Sequence, residues 1–227
     1  MKLVKKLIQF VSFNILSPFN WARIKFLLTG REYDVTAQDR EYVRGLCAQG
    51  VYIWLTRRET HLTTYLIGFS DYALGLMAYY RNGRKGKKPK LGYYAHAFLN
   101  TDADTFIEAV SSGVQYNYFD NVFNVDAFAA LIPTGLTAVE WAMFSKKFVE
   151  VSESKLGAKY DAVFNLKDET EVSCGELIRV SLRHCMSDER YNLRFKNFEA
   201  LIKERRNLTP DMIRECEDFT VITEMRR

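Results

Sequence analysis

Proline, cysteine and histidine are scarce: the 227 residues include four prolines, four cysteines and three histidines. So few prolines leave no material for a Pro-rich linker. Cys47, Cys174, Cys185 and Cys216 contain no C-x-x-C pair, so neither a zinc site nor a dithiol redox motif is legible, and nothing in the spacing requires a disulfide. Lys and Arg (32) exceed Asp and Glu (28) only slightly. Whole-molecule charge therefore does not point to a nucleic-acid binder; any basic function must be local, and no sequence-specific nucleic-acid partner is expected. No run reaches the ~18 apolar residues that a membrane-crossing helix needs. There is no glycine-rich phosphate loop and no cluster of metal ligands, so no cofactor and no metal are expected. No solenoid-length repeat or low-complexity tract is visible.

What is present is apolar mass: 48% hydrophobic and 14% aromatic residues, enough for a real core. One domain with decorated ends is expected. At the amino end, Lys2, Lys5 and Lys6 precede an apolar stretch that resembles a secretory signal. Gln9, Ser12 and Asn14 interrupt it, no small-x-small cleavage site follows, and Arg23 and Lys25 come next, so a cleavable signal is not expected. The sequence is then compatible with a cytoplasmic, membrane-peripheral or particle-borne location. Residues 1–45 read as an amphipathic helical arm, and residues 46–227 as the main domain. Through residues 1–28 the arm would pack on the domain, contact a partner assembly, or lie on a membrane surface.

Along the chain, 30–44 is a polar connector leading into a helix, and 51–56, β-branched and aromatic after Gly50, reads as a buried strand. From 61 to 80, Leu62, Tyr65, Leu66, Phe69, Leu74, Met77 and Tyr80 recur at helical spacing. The tract 81–90 then carries six cations and no apolar side chain, the pattern of a solvated loop that could also meet an anionic polymer or lipid surface. Strands at 93–99 and 105–110 flank a turn-rich tract and signal a hairpin, and 128–132 is a further strand. Helices are expected over 137–155 and 176–185.

Three residue types suggest chemistry. A thiol nucleophile needs a base, a group to hold that base, and preferably a helix amino terminus, which favours the thiolate and offers N–H groups to an oxyanion. Cys174 stands where a turn enters the 176–185 helix. Of the three histidines, His184 adjoins Cys185 with its side chain turned away, His61 heads a helix, and His96 lies mid-strand between two alanines. If Thr101-Asp102-Ala103 is the hairpin loop, Asn100 faces Asp104 and His96 stands directly opposite Glu108 on one sheet face. A slip of one residue would put Glu108 on the other face.

In order and spacing, Gly50-Val51-Tyr52-Ile53-Trp54-Leu55-Thr56-Arg57, His96, Glu108, Gly113-Val114, Tyr160-Asp161 and Cys174-Gly175-Glu176-Leu177 resemble the circularly permuted NlpC-type (YiiX-like) cysteine hydrolases of the papain-like superfamily. Leu208-Thr209-Pro210-Asp211-Met212 and 219–222 are similar to that family's closing segment. The resemblance covers roughly 50–225. Gly175 departs from it, replacing the Ser or Thr usual after the nucleophile, and the 81–90 insert is unusually basic.

The resemblance implies an α+β fold, a small antiparallel sheet packed against helices in a permuted papain-like core. It implies a Cys174, His96 and Glu108 triad, with Tyr160 and Thr56 at the substrate pocket. The activity implied is a cysteine peptidase or amidase acting on a peptide or acyl substrate, cell-wall peptides (peptidoglycan) first among them. A lipid- or acyl-directed thiol hydrolase or acyltransferase at a membrane, and a non-catalytic structural module, for instance a virion component, remain as alternatives.

Overall fold

The computed structural model describes residues 33–58, 92–161, 170–187, 195–204 and 208–226, together with scattered positions between 67 and 90. Residues 1–32 of the amino-terminal arm and much of the 61–80 and 81–90 segments lie outside the described residues. In chain order the elements are α1 (Ala37–Cys47), β1 (Ile53–Arg57), β2 (His96–Asn100), β3 (Thr105–Val110), β4 (Gly113–Tyr118), α2 (Phe119–Val122), β5 (Ala127–Pro133), α3 (Ala138–Glu153), α4 (Cys174–Met186), α5 (Lys196–Glu204), α6 (Pro210–Glu215) and β6 (Phe219–Met225). The fold is α+β, as expected. One six-stranded sheet, in the order β4-β3-β2-β1-β5-β6 with every neighbouring pair antiparallel, carries the helices on its faces.

Strand alternation divides the core. Ile53, Leu55, Ala97, Leu99, Ile107 and Ala109 point to one face, where they meet Phe144 and Phe148 of α3 and Leu177, Ile178 and Leu182 of α4. Trp54, Phe98 and Phe106 point to the other, where Val43 and Cys47 of α1, Phe119 and Val122 of α2, and Phe123 close over them. The near-continuous apolar runs of β1, β2 and β5 follow from this double coverage: strands buried on both faces lose the polar alternation of a half-exposed sheet. Helix starts are fixed by reciprocal caps. Thr36 with Asp39, Thr137 with Glu140 and Ser173 with Glu176 each form a capping box, and Thr209 caps α6 with Pro210 in its first turn.

The hairpin register differs from expectation. Thr101 and Thr105 pair, through a 2.9 Å bond from the Thr101 N–H to the Thr105 carbonyl, so the loop is Asp102-Ala103-Asp104. Asp102 holds it, its Oδ1 accepting the N–H groups of Asp104 and Thr105, each at 2.8 Å. Asn100 consequently faces Phe106, and Glu108 faces Phe98 rather than His96. The shift is by two positions, so Glu108 keeps its face and stands diagonal to His96.

His96 is also the first residue of β2 rather than a mid-strand residue. Ahead of it, the N–H groups of Tyr93 and Tyr94 both donate to Asp211 Oδ2, at 2.6 and 2.9 Å, and so leave the ladder. Asn100 ends β2 in a buried network. Its Oδ1 accepts the Tyr52 N–H and the Trp54 indole N–H at 2.7 and 3.0 Å, and its Nδ2 donates to the Gly50 carbonyl at 2.8 Å.

Candidate active site

Helix α4 brings Cys174 to the sheet, packing against β2 and β3. Ser173 is its N-cap. Glu176 Oε2 accepts the Ser173 N–H at 2.8 Å, and Ser173 Oγ accepts the Glu176 N–H at 3.3 Å. Cys174 is therefore the first helical residue, among the N–H groups that a helix leaves unused, with the positive end of the helix dipole beside its sulfur. The helix begins two residues earlier than the apolar periodicity indicates, because the cap rather than the hydrophobic pattern sets its start.

On the sheet, His96 Nε2 lies 2.8 Å from Glu108 Oε2. The Cys174 side chain is the other group that acts on the ring. Burial works against the charged ring, but the bonds to Cys174 and Glu108 outweigh it and raise His96 from about 6.5 to about 9. Burial likewise pushes Glu108 upward, and the His96 bond and charge, the Asn117 amide and the Arg58 charge outweigh that and hold its carboxyl below the usual range. The His96 side chain retains 27% of its surface, against 6% for Glu108, so the ring is the part of this pair that solvent reaches.

Asn117 completes the chain of bonds. Its Nδ2 donates to Glu108 Oε1 at 2.6 Å, while its Oδ1 accepts the Asn121 side-chain amide at 2.9 Å. Sequence reasoning missed this residue along with strand β4, whose polar Gln115-Tyr116-Asn117 lacks an apolar run. The signal available was alternation: Gln115 and Asn117 share a face with Glu108 once Gly113-Val114 is taken as a strand start.

Of the two residues assigned to the pocket by resemblance, Tyr160 is brought close. Its hydroxyl is held well above its ordinary range by burial and then by the charges of Cys174, Asp161 and Glu176. Thr56 stands directly across the ladder from His96, with its carbonyl accepting the Ala95 N–H at 3.0 Å, and is itself buried. Glu176, besides capping, faces Asp161 and Arg179; burial, then Asp161, raise it against the Ser173 bonds and the Arg179 charge.

Gly175 has a steric reason. A Cβ at that position would stand 1.9 Å from the Leu208 carbonyl oxygen, so the segment entering α6 lies against the start of α4 too closely for any side chain. The remaining cysteines are structural. All four thiols are free, and burial pushes Cys47 and Cys185 to about 12 and Cys216 to about 11.

No protein-family model and no curated protein matches the sequence. Among solved structures, the metalloprotein YiiX of Escherichia coli O157:H7 (DUF1105) superposes with a TM-score of 0.53 over 78% of this chain and 98% of its own, at 12% identity. The fold is YiiX-like. At that identity the likeness is one of architecture. YiiX is described as a metalloprotein, whereas the described residues of this chain do not present a metal's donor set: Glu108 and the His96 ring face each other rather than a common centre, and among the described residues no three His, Cys, Asp or Glu side chains converge.

Proposed function

We propose that this YiiX-like chain is a thiol hydrolase of the permuted papain-like type, with Cys174 as nucleophile, His96 as acid and base, and Glu108 as the group that orients and charges the ring. The observation that carries the reading is the His96 ring bonded to Glu108 at 2.8 Å, with the Cys174 side chain at the start of α4 as the other group that acts on it. In the reaction the thiolate attacks an amide or ester carbonyl. The tetrahedral oxyanion is met by the Cys174 N–H, and the imidazolium gives its proton to the leaving amine or alcohol. Water, deprotonated by the same ring, then releases the acid from the thioester.

The substrate proposed is a peptide-type amide, with cell-wall peptides first among candidates on the strength of the family resemblance. The test is turnover of a panel of chromogenic peptide anilides and acyl esters by the full-length chain, with the intact mass read during turnover. An acyl adduct on Cys174 and loss of turnover in Cys174→Ala are expected. Preference for esters with long acyl chains over anilides moves the substrate to the acyl class, and undiminished turnover in Cys174→Ala refutes the nucleophile.

A further inference from the structure

From 62 to 80 the sequence carries a single charged side chain, Asp71, and it is followed at 81–90 by six cations without an acid. The described residues between 67 and 81 are helical. At helical spacing Phe69, Ala73, Leu76, Met77 and Tyr80 fall along one stripe. In that stripe Phe69, Met77 and Tyr80 are 63%, 61% and 56% exposed. Single exposed apolar side chains are ordinary, but three large ones at helical spacing are a set of the kind that marks an interaction surface.

The cations are placed beside this stripe. After the helical residues Tyr79, Tyr80 and Arg81, Gly83 and Arg84 stand in a turn, both at φ 64, with bonds from the Gly83 N–H to the Tyr80 carbonyl and from the Arg84 N–H to the Tyr79 carbonyl, at 3.0 and 2.9 Å. That turn folds the Arg84 guanidinium back to 5.2 Å from the Tyr80 ring, and Arg81, Arg84 and Lys90 are all exposed.

We propose that the Phe69, Met77 and Tyr80 face, with Arg81 and Arg84 at its end, docks on an anionic lipid surface. The apolar side chains would enter the acyl boundary, Tyr72, Tyr79 and Tyr80 supply rings suited to the headgroup level, and the cations would meet lipid phosphate and carboxylate groups. No helix among the described residues is long and apolar enough to cross a membrane, and the mode proposed is one of lying in the interface. A second copy of the chain would set this cationic turn near its own like charges, whereas an anionic surface complements it.

The experiment is flotation of the full-length chain with phosphatidylcholine vesicles, with and without phosphatidylserine, at low and high salt. Two variants keep the amino-terminal arm intact: Phe69→Glu with Met77→Glu, and Arg81→Glu with Arg84→Glu. Their folding is checked by circular dichroism, and since all four positions are exposed, either pair suffices if the other fails to fold. Binding that requires phosphatidylserine, weakens with salt, falls about tenfold or more in the apolar pair, and falls about fivefold or more per reversed cation is expected. Three results overturn the proposal: no flotation of the unaltered chain; flotation unchanged in both variants, which assigns lipid contact to another segment; or a concentration-dependent dimer that the apolar pair abolishes, which assigns the face to a second copy.

Discussion

The two ends of α4 each carry a cysteine, and they differ in everything but residue type. Cys185, near the carboxyl end, is sealed into the apolar layer between α3, α4 and the sheet, and burial pushes its thiol up to about 12. Cys174, at the amino end, is also buried by area, but its neighbours are an imidazole, a capped helix start and, through the imidazole, a carboxylate. On the proposed reading, burial alone does not sort a structural thiol from a chemical one; the polar groups that share the burial do. The strongest test of that contrast is His96→Ala. Turnover of any thiol-dependent substrate should fall ~10²- to 10⁴-fold, the range for losing a general acid–base. Turnover within a few-fold of the original would place Cys174 in the same class as Cys185.

A pH series tests the same pair through stability. His96 is raised from about 6.5 to about 9 in the folded state, so the stabilisation it contributes is fully present below about 6.5 and is lost as pH rises toward about 9. Thermal melts between pH 6 and pH 9.5 should show that loss, worth a few kcal/mol at most, and Glu108→Gln should flatten it. An unchanged slope in Glu108→Gln would mean that the carboxylate does not hold the ring.

Gly175→Ala probes the start of α4 against its end. With the Leu208 carbonyl 1.9 Å from the site of the new Cβ, the helix entry or the segment before α6 must shift, and unfolding by denaturant should show ~1–3 kcal/mol of destabilisation. Asn117→Ala is the smallest change. Loss of its 2.6 Å bond to Glu108 should cost ~1 kcal/mol and lower turnover several-fold, with Asn117→Gln or Asn117→Asp failing to restore the geometry. A variant indistinguishable from the parent would remove Asn117 from the site.

Much of this was legible in the sequence for physical reasons that can be named. The strands β1, β2, β3 and β5 are dense in β-branched, aromatic and small apolar residues because both sheet faces are covered, and the helices α3 and α4 announce themselves by periodicity. Cys174 was singled out from its place before a helix, and Glu108 from face parity, which survives a register error of two and still brings Glu108 to His96. The loop itself was misplaced because its position depends on which carbonyls and N–H groups Asp102 captures, a local hydrogen-bond choice that composition does not reveal. β4 was missed because, at the edge of the sheet, it is polar on one face; its partner beyond the edge is the 157–158 backbone, through the Val114 N–H to Ala158 carbonyl bond at 2.9 Å. The constraint on Gly175 comes from residues more than thirty positions away and leaves no local trace.

The sharpest measurement is the rate of iodoacetamide alkylation of Cys174 and Cys185, read by peptide mass spectrometry from pH 5 to pH 10 on the full-length chain. Cys174 should react at neutral and mildly acidic pH at least ~10³-fold faster than Cys185, with a further change only near pH 9 as His96 loses its proton, and His96→Ala should erase the acidic-pH reactivity. A Cys174 rate that rises as a single step near the free-thiol value of about 8.5, indifferent to His96, would contradict the pairing of this sulfur with the ring.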